Sequence, residues 1–300
     1  MRNLKGGPSG TVLKRQSVAA QRKRSLHRAM CFLALALASS IGGLFLLSRA
    51  LSGHLDMDHP SIGLNLAGNV LLAMLGVILP ALLISRVTRE QASLFGWGTQ
   101  ARGRHLAIGL IGGLGTMVLL IAVLGLLGMA RFNASPLPVG EIAAYGFAYA
   151  AIFALTALAE EGMLRGYVLI QLSRALGFWP AAIITSAIFA ALHLVHGNET
   201  ALGLVQVGIF GLVMAISVAR TGALWFALGF HAAWDFTETF LFGVADSGMT
   251  GAASLLITRL EGPVWLTGGS VGPEGSLLVL PLLLLTAVAI GVGSWRGGQA

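Results

Sequence analysis

Charge is what this chain has least of: charged side chains are 10% of its 300 residues, against 56% hydrophobic ones. Soluble domains carry roughly a quarter charged residues, so a soluble globular class is excluded. The alternative is a chain whose solvent is lipid. Cysteine is nearly absent as well. Cys31 is the single one, and its place in the first apolar run excludes disulfides and cysteine-based metal sites. The zinc-protease pattern H-E-x-x-H does not occur, and no serine nucleophile motif of the G-x-S-x-G kind is expected. No internal repeat stands out, which disfavours an inverted-repeat transporter.

What is there is a succession of apolar runs of about 20 residues, the length that crosses a bilayer. They fall at 29–47, 62–84, 106–129, 142–176, 180–195, 202–218, 223–242 and 276–292. The implied fold class is all-α, a polytopic membrane protein of about eight transmembrane helices. Its expected organisation is a disordered basic cytoplasmic leader over 1–28 and three N-terminal transmembrane helices over 29–135. A transmembrane core over 136–292 and a cytoplasmic tail over 293–300 complete it.

The formal net charge of +7 does not point to nucleic acid, because Lys and Arg crowd into the leader. With both termini inside, every one of the 19 Lys and Arg except Arg49, Arg131 and Arg259 falls in an inner segment. That asymmetry is what the positive-inside rule demands. The expected location is a cell membrane, multi-pass, of the bacterial plasma-membrane kind. The expected partners are the lipid bilayer and a membrane-associated protein or peptide substrate, with no nucleic acid. The Gly-rich outer stretch 244–275 is expected to fold over the bundle.

Ionisable residues within spans are rare, and each is a functional hypothesis by default. Here they cluster on the fourth, fifth and seventh helices: Glu160, Glu161, Arg165, His193, His196, His231, Asp235 and Glu238. Counting from the inner helix ends at 1.5 Å per residue puts acid and imidazole at overlapping depths of roughly 12–20 Å. The pocket is therefore expected to open towards the inner side. Glu161 and Arg165, His231 and Asp235, and Phe189 and His193 are each four apart and share a helical face. Adjacent Glu160 and Glu161 point about 100° apart. This gives Arg165 to Glu161 as an ion pair, leaves Glu160 to the cavity, and lets Phe189 wall off His193. His196 and Glu199, at the helix end, read as interfacial. A carboxylate and a neutral imidazole sharing a water can deprotonate it as it attacks a carbonyl. A second imidazole with a polar neighbour can stabilise the oxyanion.

The motifs "EEGMLR", "FAALH" and "HAAWD" resemble the E-E-x-x-x-R, F-x-x-x-H and H-x-x-x-N/D motifs of the CaaX protease and bacteriocin-processing family of intramembrane proteases. They stand in family order, each on its own helix, and "SLFGW" and "GPEGSLL" are similar to further family segments. The resemblance covers roughly 90–292 and implies an eight-helix protease fold with its site in a membrane cavity. Carried across, Glu160 and His193 activate water, His231 and the residue at 235 form the oxyanion hole, and Glu161 with Arg165 supports the site. Position 235 departs from the pattern: it is Asp where the well-understood processing enzymes have Asn. Asp235 then either is protonated, orients His231, or joins Glu160, His193 and His231 as ligand to a divalent metal such as zinc. The water-activating reading needs no metal. The rival functions are an immunity or scaffold protein without proteolysis, and a proton-coupled carrier.

Overall fold

The computed structural model describes residues 8–51, 61–194, 200–293 and 295. Among them the eight expected runs are eight helical rods: α1 (Pro8–Leu51), α2 (Ile62–Thr88), α3 (Arg102–Leu126), α4 (Val139–Leu176), α5 (Phe178–His193), α6 (Ala201–Thr221), α7 (Trp225–Phe236, continued by a π turn Thr237–Leu241) and α8 (Val279–Val292). Five of them, α1, α2, α3, α4 and α6, are long and apolar enough to cross a membrane, while α5 and α8 are shorter apolar helices. The chain is an all-α, multi-pass membrane protein.

One boundary differs from the sequence reading. Residues 8–28, expected to be disordered, continue α1 as helix. Their Arg, Lys, Gln and Ala content is good helix-forming composition, and the stretch has an anchor at its end: Arg28 Nη1 lies 2.7 Å from Glu90 Oε1. Glu90 also accepts from the Tyr167 hydroxyl and, at 3.1 Å, from Gln171 Nε2. The leader end of α1 is thus tied to α4 through one carboxylate.

Two backbone features set where the polar helices lie. Gly166 breaks α4, with φ −75° and ψ −117° inside the π turn Gly162–Val168. The break admits the turn Ala92–Phe95 of the "SLFGW" stretch, because a Cβ on Gly166 would lie 2.9 Å from the Phe95 carbonyl oxygen. Phe95 stacks on Tyr167 with ring centroids 4.6 Å apart, and Phe32 packs on the same ring at 5.3 Å. This aromatic plug fills the bundle on its leader side. The second feature is the close approach of α3 and α7. A Cβ on Gly109 or Gly113 would meet the Phe226 or Phe230 carbonyl oxygen at 2.3 or 2.0 Å, and one on Gly229 would meet Leu106 O at 2.4 Å. Small residues four apart let membrane helices pack backbone to backbone, and here they set the position of α7.

The end opposite the leader is covered by loop structure, in line with the Gly-rich composition there. Strand β1 (Ala130–Ala134) pairs antiparallel with β2 (Leu256–Leu260), in register from Ala130↔Leu260 to Ala134↔Leu256. Ala252 N–H donates to the Tyr149 hydroxyl at 2.7 Å, and Gly248 N–H to Val271 O at 2.8 Å. Gly272, at φ +114°, is a position only glycine fits: a Cβ there would lie 2.0 Å from Ala245 O.

Candidate active site

Helices α4, α5 and α7 bring Glu160, Phe189, His193, His231 and Asp235 to the wall of one cavity of about 180 Å³. A water needs only ~10–15 Å³ of such volume, so the space is large enough for several waters. The two adjacent glutamates separate as their 100° offset requires. Glu161 is fully buried, while the Glu160 side chain is 34% exposed and faces the cavity.

Glu161 sits at the centre of a buried chain of contacts. Its Oε1 lies 3.4 Å from Arg165 Nη1 and accepts from His231 Nδ1–H at 3.0 Å. A carboxylate only accepts, so this bond fixes the proton on Nδ1. The other ring nitrogen, Nε2, then faces Asp235 Oδ2 at 3.5 Å and Glu160 Oε2 at 3.7 Å. Arg165 is held a second way, its guanidinium carbon 4.1 Å above the Phe189 ring, a cation–π contact strengthened by desolvation. Gly211 on α6 leaves it room, since a Cβ there would lie 2.3 Å from Nη2.

His193 is oriented by its own helix. Its Nδ1–H donates to the Phe189 carbonyl at 2.9 Å, which leaves the lone pair on Nε2. Phe189 packs edge-on against both imidazoles, with centroids 4.6 Å from His193 and 6.1 Å from His231. Phe189 therefore carries Arg165 on one side and spaces the two histidines on the other.

The cavity reaches further from the leader than the depth count puts it. The cavity is bounded by Asn65 and Asn69 on the first turns of α2, by Tyr149 and Thr156 on α4, and by Asp246 and Glu274 in the covering loops. All of these belong to the end opposite the leader, and the aromatic plug closes the other end. The count measured α5 and α7 from their inner ends only. His193 is the last residue of α5 and Asp235 the penultimate α residue of α7 before its π turn, so both are nearer the opposite end.

Residue types passed over in the sequence also reach the cavity: the amides Asn65, Asn69 and Gln206, and the loop carboxylates Asp246 and Glu274. The i,i+4 amide pair on an otherwise apolar α2 was a legible signal. Glu274 stands in the "GPEGSLL" stretch that the resemblance singled out, whereas Asp246 had no signal, because its place depends on loop closure. The letters G-x-S-x-G do occur, at 268–272. Ser270 is exposed there, in a loop rather than on the strand-to-helix turn a serine nucleophile needs, and away from the cavity. His196 and Glu199 lie outside the described residues.

The family model described as Type II CAAX prenyl endopeptidase Rce1-like matches residues 142–237, the stretch that holds all three motifs. Over this segment the chain is similar to the Rce1-like family. No curated protein and no solved structure matches it. The Rce1-like segment runs from the start of α4 to the first residue of the π turn of α7, so it contains Glu160, His193, His231 and Asp235 but neither α2 nor the covering loops.

The zinc alternative can be tested on the donor set. Both histidines have one nitrogen tied back, to a carbonyl and a carboxylate, as ligating imidazoles do. Zinc bonds of 2.0–2.2 Å would also require the free ligand atoms to crowd together. Among the described residues, only Glu238, Asp246 and Glu274 offer three such atoms mutually within 4.8 Å. In this geometry the ligand atoms of Glu160, His193, His231 and Asp235 are too far apart for a closed zinc site.

Proposed function

We propose that this protein is an intramembrane endopeptidase that hydrolyses a peptide bond with water activated by Glu160 and His193. The observation that carries the reading is the meeting of Glu160, His193, His231 and Asp235 from three helices on one cavity, within a segment that matches a prenyl endopeptidase family. A water between Glu160 and the lone pair of His193 Nε2 loses a proton to the carboxylate as its oxygen attacks the carbonyl carbon. The carbonyl oxygen becomes an oxyanion. His231 stabilises it from Nε2 once that nitrogen carries a proton, with Glu161 and Asp235 as counter-charges. When the carbon–nitrogen bond breaks, the proton on Glu160 passes to the leaving amine. Asp235, 3.5 Å from His231 Nε2, orients the imidazole rather than contacting the oxyanion. Glu161 and Arg165 are positioning residues that act through His231.

Glu160→Gln and His193→Ala are expected to reduce cleavage by about 10²-fold or more while the folded protein still accumulates in the membrane. Mass spectrometry of membrane and exported peptides from cells with parent or variant protein reads both activity and substrate. Full activity in either variant sinks the mechanism. Asp235 in the place of the usual Asn is the observation favouring a second reading, a family member that binds a partner without cutting it. Variants without cleavage that still support the cellular role would select that one.

A further inference from the structure

The cationic and carboxyl side chains around the cavity do not balance. Among the described residues no Lys or Arg lines it, and Arg165 is fully buried behind Glu161. The carboxyl groups there already accept from neutral donors, Asp246 from Thr239 Oγ1–H at 3.3 Å and Glu274 from Ser247 N–H and Oγ–H at 2.6 and 2.8 Å, but face no Lys or Arg among the described residues. Asp246 and Glu274 line the half nearest the mouth, and their oxygens lie within 4.8 Å of each other and of Glu238. Glu238 is fully buried, with its Oε2 lacking any hydrogen-bond partner. Independently, Gln206 on α6 is 2% exposed and also lines the cavity. Its Nε2 is anchored on the Ser276 carbonyl, which fixes the amide and leaves Oε1 unpartnered. A buried acceptor without a donor costs ~1–3 kcal/mol, and grouped carboxylates repel one another. What relieves both is a ligand that brings hydrogen-bond donors and positive charge. The remaining wall, including Ile152, Phe153 and Leu283, is apolar.

We propose that the mouth half of the cavity is a subsite for a basic side chain, Lys or Arg, of an apolar peptide segment, seated against Asp246 and Glu274 with Gln206 Oε1 as a further acceptor. This rests on the peptidase reading and narrows its substrate class.

The test is binding, so that it stands apart from catalysis. The full chain carrying Glu160→Gln, in lipid nanodiscs, is titrated with fluorescent Leu/Ala peptides, acetylated and amidated, that carry one Lys, one Glu or neither. The Lys peptide is expected to bind about tenfold or more tighter than the Glu peptide. Adding Asp246→Asn, or separately Glu274→Gln, is expected to cut that preference to about threefold or less. Equal binding, preference for the Glu peptide, or no saturable binding of any peptide overturns the proposal. So does micromolar calcium binding that Asp246→Asn removes without any effect on peptide choice, which would assign the carboxylates to an ion. Lys selectivity in a protein that never cleaves would leave the subsite standing and remove the peptidase reading alone.

Discussion

Arg165 is the largest fully buried side chain among the described residues, and it lies within a membrane span. Its guanidinium faces Glu161 at 3.4 Å and the Phe189 ring at 4.1 Å. Breaking a buried pair by removing one partner leaves the other uncompensated, typically at 3–5 kcal/mol. Arg165→Met is expected to lose about that much in detergent unfolding. Adding Glu161→Gln should recover part of it, which a double-mutant cycle measures. Asp246, outside the spans, makes a prediction in pH. Burial first, and then the charge of Asp235, push its carboxyl well above the ordinary carboxylate range. As pH rises past ~4, the unfolded chain releases this proton while the folded chain keeps it. Stability then falls by at most ~1.4 kcal/mol per pH unit until the folded-state value is passed. Asp246→Asn removes that loss. Its thermal melts are expected to match the parent near pH 4 and to exceed it increasingly towards neutrality.

At the scale of elements, the site depends on contacts that carry no chemistry. His231 and Asp235 ride on α7, which lies where Gly109, Gly113 and Gly229 let two backbones touch. Gly113→Val would drive a side chain into the Phe230 carbonyl, 2.0 Å from where its Cβ must sit. The neighbour is backbone and cannot swing aside. The expected outcome is a destabilisation of about 1–3 kcal/mol or more together with loss of cleavage, read by melting temperature and peptide turnover on one preparation. A melting temperature unchanged from the parent would show that the approach is looser than these contacts require. The charged motifs could be placed on their helices by spacing alone, since i,i+4 residues share a face whatever surrounds them. Which glycines face another helix could not, because that is a property of two elements together.

At the scale of the whole molecule, most of the described basic residues lie at the end opposite the covering loops and the cavity beneath them, Arg49, Arg131 and Arg259 excepted. The positive-inside rule then predicts a mouth on the outer face. A cysteine at Thr250, in a Cys31→Ser background, is expected to react with a membrane-impermeant maleimide in intact cells, and one at Arg174 only after permeabilisation. The reverse pattern would turn the molecule over and deliver substrate from the cytoplasm.

Lipid as solvent, the eight helices, the charge asymmetry and the three motif-bearing helices were determined by the sequence itself, because composition, run length and helical period are local properties. The division of labour between Glu160 and Glu161 was also legible, as a 100° offset. Tertiary structure alone decided which end of the bundle opens, since Gly166 and the "SLFGW" turn plug one end while the other leaves a gap beneath its loops. It alone brought Gln206, Asp246 and Glu274 to the cavity. The loops that carry the two carboxylates are held by the β1–β2 pairing and the Gly272 contact. Both are closures between separate segments of the chain, which no local pattern encodes.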